Sequence, residues 1–194
     1  MLITIATMGA AQDGGGKTDF GFSLSPNYSF ASDGAFSFGA NVFIQRNATE
    51  RFKLLVGLGL QNVRTKQTID YTGVIPFAPG TDYPTGLVHN RYNILQIEMP
   101  LSGKFRIGER LYINSGVTLS RGLYVRYIYE DVDAGSTSVS KNSDKSYALY
   151  LNLGFGLDVI QNDNFVVFVN PYAQKRITST SPLHIGLSTG VILK

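Results

Sequence analysis

The chain has no cysteine, no tryptophan and only two histidines, and it is short of charge: 17 Lys and Arg plus 14 Asp and Glu make up 16% of 194 residues, against roughly 25% in a typical soluble domain. Without cysteine there is no disulfide scaffold, thiolate metal centre or cysteine nucleophile. His89 and His184 alone cannot build a His-rich site, so neither a metal nor a cofactor is expected. The net charge of +3 is scattered along the chain, which gives no nucleic-acid footprint and no nucleic-acid partner. No run approaches 18 apolar residues, which excludes a transmembrane helix. Yet 43% of the residues are hydrophobic.

Residues Met1 to Gln12 are apolar and then small, with Gly9 and Ala11 three and one residues before Gln12. That pattern is the latter part of a secretory signal peptide, so residues 1–11 are expected to be a residual leader. A first β-strand is the alternative that the Ile and Thr content permits. The basic residues that open such leaders are missing, so the chain is expected to start inside its leader. Residues 12–18, with Gly14, Gly15 and Gly16, are expected to be a linker before a domain spanning 19–194. They resemble the end of a phosphate-binding loop, but Ala11 stands where that loop needs glycine, and a strand follows in place of a helix.

From Thr18 onward one pattern repeats. Phe20, Phe22, Leu24, Pro26, Tyr28 and Phe30 alternate with Gly21, Ser23, Ser25, Asn27 and Ser29, a period of two that defines a β-strand. The same alternation recurs over Phe36–Ile44, Phe52–Leu60, Leu95–Ile107, Leu111–Leu123, Tyr147–Val159, Phe165–Ala173 and Leu183–Leu193, giving eight strands. In the third the apolar phase changes near Asn62, where a bulge is expected.

The content of the polar face decides which side points inward. A solvated face is rich in Lys, Glu and Thr; this one is Gly, Ser, Asn and Gln, which suits the narrow interior of an eight-stranded barrel. The apolar face excludes charge for about ten residues per strand, the length of a tilted membrane-spanning strand. Short connections (Asn47–Glu50, Gly108–Arg110, Gln161–Asn164) alternate with long ones (Thr72–Arg91, Glu130–Asp144), the latter expected as a capping or recognition loop and a mobile Ser/Asp/Lys-rich loop. Aromatic girdles are expected from Phe20, Phe52, Phe105 and Phe165 at one rim, and from Tyr28, Phe30, Phe36, Tyr127, Tyr129 and Tyr147 at the other. Arg121 and Lys175 take the outward phase only at strand ends, where they reach headgroups. The expected fold is therefore all-β: an eight-stranded antiparallel up-and-down transmembrane β-barrel, with outer-membrane lipid as its surroundings.

Six charged residues take the inward phase: Lys53, Glu98, Lys104, Arg106, Arg126 and Asp158. Charges in a low-dielectric interior need partners, so a structural network of lumenal ion pairs is expected. No catalytic residue is expected. Some small barrels hydrolyse lipid A with a Ser/His/acid set, but His184 and Ser188 are four apart on one strand, about 13 Å, beyond the reach of a base for its nucleophile.

Ile97-Glu98-Met99-Pro100-Leu101, Lys104-Phe105 and Leu111-Tyr112-Ile113-Asn114-Ser115-Gly116 resemble the L-E-I-P-L, K-Y and Y-L-x-A-G pattern of the PorT-like outer-membrane β-barrel family of the Bacteroidetes lineage. The resemblance implies one barrel of the small OmpA type in a Gram-negative outer membrane, without an assigned activity; the family's link to secretion attaches to no residue here. The C-terminal Gly190–Lys194 departs from the pattern in lacking a terminal aromatic. The function expected is an integral outer-membrane protein with a filled lumen and a structural or surface-interaction role, with a surface or periplasmic protein partner left open. The alternatives are a narrow-pore or secretion-associated component and a soluble exported lipocalin-like barrel.

Overall fold

The computed structural model describes residues 17–30, 35–70, 86–143, 145–177 and 183–194; the expected leader lies outside the described residues. The alternation becomes nine antiparallel strands: β1 Thr18–Ser29, β2 Ala35–Asn47, β3 Phe52–Asp70, β4 Leu87–Arg106, β5 Leu111–Asp131, β6 Ser136–Asn142, β7 Tyr147–Gln161, β8 Phe165–Arg176 and β9 His184–Leu193. Thr18, expected in the linker, already pairs with Arg46. Eight strands close a barrel in the order β1-β2-β3-β4-β5-β7-β8-β9, and β9 returns to β1 from Phe20↔Leu193 to Ser29↔His184. Closure leaves the lipid-facing band without a free edge, as lipid requires of a sheet.

Side chains that capture nearby backbone N–H groups make the short turns. Asn162 Oδ1 accepts from the N–H of Asn164 (3.0 Å) and of Phe165 (2.8 Å). Thr49 Oγ1 accepts from the N–H of Phe52 (3.0 Å). The start of β1 and the end of β9 lie on this rim, with Phe20 opposite Leu193.

The two faces have opposite chemistry. Phe22, Val42, Leu58, Met99, Leu119, Leu153 and Leu187 point outward, between 43% and 57% exposed, while Ser23, Asn27, Gln45, Gln61, Gln96, Thr118 and Gln174 are buried inside. A soluble barrel has the reverse arrangement, so this exterior belongs in lipid. On β4 the apolar outward residues run from Phe105 to Leu95. Ten steps at roughly 3.3 Å, on a strand tilted about 40°, span about 25 Å, the height of a lipid-facing band. Phe52 pairs with Phe105 at the short-turn rim, and Tyr28 with Phe36 at the other.

Three strands overrun the band. β3, β4 and β5 have 19, 20 and 21 residues, whereas β1 and β8 have 12 and β9 has 10. From Leu95 to Leu87, β4 rises roughly another 20 Å. The segment expected as a mobile loop, Glu130–Asp144, instead completes β5, turns, and returns as β6 against Val125–Asp131. Asp131 Oδ1 accepts from the N–H of Ala134 (3.0 Å), and Gly135 takes φ +61°, a left-handed conformation that favours glycine.

The bulge is not where the apolar pattern places it. β3 and β4 pair without a slip from Phe52↔Phe105 to Asp70↔Leu87. Register shifts lie instead in β5, where Leu95 faces Tyr124 but Gln96 faces Gly122, leaving Leu123 as an extra residue, and in β7, where Asp158 faces Phe168 but Ile160 faces Val167. Below the β5 shift Tyr112, Thr118 and Ser120 point inward; above it the buried residue is Val125. Arg126 is thereby turned to the outer surface and leaves the lumenal network in which it was expected. The same shift moves Tyr127 and Tyr129 from the outer girdle to the inner face, where the rings of Tyr127 and Tyr92 meet edge to face at 5.2 Å.

Candidate functional site

Five of the six expected lumenal charges do face inward. Four of them, with Asp19, gather at the short-turn end. Asp158, 1% exposed, accepts from Lys104 Nζ at 3.1 Å and from Arg106 Nη2 at 3.5 Å. Lys53 Nζ donates to Asp19 Oδ2 at 3.3 Å, and Gln45 Nε2 to the same oxygen at 2.9 Å. Lys104 Nζ also lies 3.5 Å from the centre of the Tyr112 ring, a cation–π contact in a dry setting. Sequence reasoning missed Asp19, which was read as the first residue after the linker; its inward phase with Ser23 and Ser25 was the available signal.

Glu98 stands apart. Its Oε1 accepts from Gln96 Nε2 (3.2 Å), which also donates to Gln61 Oε1 (2.6 Å). Among the described residues it makes no ion pair, contrary to the expected pairing. Six residues of strand separate it from Lys104, roughly 20 Å, too far for direct contact. Lys53, Lys104 and Arg106 face Asp19, Asp158 and Glu98 in the interior, with Arg176 a further cation on the inward phase of β8, and Glu98 is held through a neutral amide.

Aromatic rings occupy much of the remaining lumen, and glycines make the room. Phe43, Tyr112, Phe168 and Tyr172 each lie over the glycine paired with them on a neighbouring strand: Gly21, Gly156, Gly190 and Gly186. Phe43 and Phe168 meet edge to face at 6.1 Å, and Phe168 packs with Val166 and Ile192. A cavity of about 140 Å³ remains, lined by residues that include Ser25, Gln61, Glu98 and Tyr172. A Cβ at Gly156 would meet the Tyr112 ring, which the Lys104 contact holds in place. Gly156→Val is therefore expected to cost about 1–3 kcal/mol by overpacking, and Tyr112→Leu beside it to restore part of the loss, read by urea unfolding in lipid vesicles.

His184 and Ser188 show no catalytic arrangement. Ser188 Oγ accepts from Ser25 Oγ at 3.2 Å, and the His184 ring lies 6.4 Å from that of Tyr150.

The second candidate surface is the tall wall formed by the upper parts of β3, β4 and β5 with β6. Here the polarity inverts. Above Asn62 the apolar residues Val63, Val88, Ile94 and Val125 turn inward, and Arg64, Lys66, Arg91, Arg126 and Lys141 face out. Residues 64–70 of β3 have no partner on the β2 side among the described residues, and every residue of β6 is exposed. Arg91 Nη2 reaches Glu130 Oε2 at 3.1 Å. Thr68 Oγ1 lies 3.1 Å from His89 Nδ1, which places His89 on the wall and not in a loop.

A closed antiparallel barrel with an apolar exterior and a polar, side-chain-lined interior defines an integral β-barrel protein of the bacterial outer membrane. The fold is similar to that of solved outer-membrane structures. The attachment invasion locus protein Ail of Yersinia pestis matches with a TM-score of 0.51 at 10% identity, over 92% of this chain and 97% of its own. Neisserial surface protein A matches with a TM-score of 0.49 at 14% identity, over 93% and 99%. A major outer membrane protein from Thermus thermophilus matches with a TM-score of 0.49 at 10% identity, over 90% and 98%. No protein-family model and no curated protein matches the chain.

Proposed function

We propose that this chain is a non-enzymatic outer-membrane protein whose filled barrel anchors the tall wall at the cell surface, where it meets a partner. The inversion of polarity along β3–β6 carries this reading. Within the band the sheet is apolar outside; above it the outward rows carry Arg64, Lys66, Arg91, Arg126 and Lys141, with Ile128, Val139 and Leu87 as their apolar members, while Val63, Val88, Ile94 and Val125 turn inward. A barrel that served only as a plug would gain nothing from extending three strands beyond the lipid. The lumenal residues Lys53, Glu98, Lys104, Arg106 and Asp158 have a structural role in this reading, and residues 1–11 belong to an export leader. The likeness to the PorT-like family supports it further, because the two halves of that pattern lie side by side in the β4–β5 register, with Lys104 opposite Asn114 and Ser102 opposite Gly116.

The absence of cysteine allows a direct test. Ser138→Cys in β6 is expected to react with a membrane-impermeant maleimide on intact cells, and Asp163→Cys in the short turn only after lysis. Labelling of Asp163→Cys alone on intact cells would reverse the orientation and remove the surface role.

A further inference from the structure

The outward face of the tall wall carries more cations than its own carboxylates can satisfy. Strand register places Arg64, Asn93, Arg126 and Lys141 in one row across β3, β4, β5 and β6, and Lys66 and Arg91 in the next row up. Arg91 is engaged by Glu130. Arg64, Lys66, Arg126 and Lys141 are exposed and have no ion-pair partner among the described residues.

The position of this row matters as much as its charge. The continuous outward apolar band of these strands ends at Leu60, Leu95 and Tyr124, with only Ile128, Val139 and Leu87 outward above it, and Asn62 shares the row of Leu95 and Tyr124. The Arg64 row is the next one above, roughly 7 Å further along the strands. An arginine or lysine side chain spans about that distance and can bring its head back to the lipid boundary. The cations therefore stand at headgroup height and face the membrane plane, not the barrel mouth. The planar guanidinium fork binds oxyanions bidentately, carboxylate and phosphate above all.

We propose that Arg64, Arg126 and Lys141, with Lys66 above them, form a binding face for the phosphate-bearing headgroups of the lipids surrounding the barrel. The face rests on the membrane placement of the barrel and not on the surface partner. Its function is to hold a lipid collar against one side of the wall, fixing the depth of β3–β6 in the outer leaflet. A free phosphate in solution offers the same chemistry, but the position at the boundary of the apolar band favours a headgroup already held in the bilayer.

The test uses the full chain refolded in phosphatidylcholine vesicles with and without phosphatidylglycerol, followed by detergent extraction and native mass spectrometry of retained lipid. The intact protein is expected to retain phosphatidylglycerol over phosphatidylcholine, since each Lys or Arg beside an anionic surface contributes about fivefold. The triple variant Arg64→Gln/Arg126→Gln/Lys141→Gln is expected to lose most of that preference, by roughly tenfold or more. Lys175→Gln, a lone outward cation on β8, is expected to lower it by no more than about fivefold. An equal preference in the triple variant overturns the proposal. Displacement of the lipid by inorganic phosphate at matched concentration overturns it in favour of a free-anion site. If the triple variant does not fold, the intact protein decides: its preference must fall as salt is raised, and a salt-independent preference overturns the proposal. Heat-modifiable gel mobility of the intact protein is read in parallel, because its loss would indict the barrel placement and not the lipid face.

Discussion

Asp158→Ala is expected to destabilise the folded barrel by about 3–5 kcal/mol, the range for breaking a buried ion pair by removing one partner. Asp158 is the only carboxylate in ion-pair contact with Lys104 and Arg106 among the described residues. The two cations do not suffer equally. Arg106, with its side chain 32% exposed, can turn toward the short-turn mouth and regain water, but Lys104 is 6% exposed and cannot. Most of the cost therefore falls on Lys104. Adding Lys104→Met should recover most of the lost stability, because an apolar side chain of similar length removes the stranded charge, whereas adding Arg106→Gln should recover little. Urea unfolding of vesicle-refolded protein reads all three. A loss below about 1 kcal/mol for Asp158→Ala, or equal rescue by both second changes, would mean that water already reaches this cluster.

The second large effect tests the exterior. Leu58→Arg, on β3 opposite Val42 in the middle of the band, is expected to cost about 2–4 kcal/mol, and Phe105→Arg at the rim only about 0–1. The sign is informative. Leu58 is 51% exposed, and on a soluble barrel a charge at such a position changes stability by about 0.5 kcal/mol or less. Only a lipid exterior makes the penalty depend on depth. Equal, small costs at both positions would assign this face to water. The urea midpoint in vesicles and the folded fraction in unheated gels give the same ordering independently.

Most of the barrel was legible because lipid imposes one rule over a long stretch. Wherever the strands cross the band, a period of two with opposite chemistry on each face is unavoidable, and all eight wall strands carried it. The reading failed where the rule changes. Above Asn62 the surroundings become water, so the apolar phase moves to the inner face with no slip in register, and a change of medium was taken for a bulge. The bulge in β5 at Leu123 opens the run Leu123-Tyr124-Val125, where every residue is apolar and alternation gives no signal. Arg126, Tyr127 and Tyr129 were misplaced as a consequence. Strand β6 has one large apolar residue, Val139, in seven, too little to mark a strand; the Asp131 and Gly135 turn chemistry was the better cue.

The lumenal charges were identifiable as a set but not as pairs. Register ties neighbours on adjacent strands, whereas Lys53 on β3 meets Asp19 on β1, and Lys104 on β4 meets Asp158 on β7. Each pair steps over a strand, across the curvature of a narrow tube. Nothing in local periodicity encodes such chords; they follow from barrel radius and side-chain length.

A barrel with a level rim looks the same from every direction in the membrane. This one does not: β3, β4 and β5 overrun the band while β1, β8 and β9 stop near it, so the molecule has a front and a back. A body arriving along the surface meets a standing sheet from one side and a low threshold from the other. Close lateral packing in a crowded bilayer is correspondingly easier against the low side, and a molecule packed that way keeps its wall turned to open membrane.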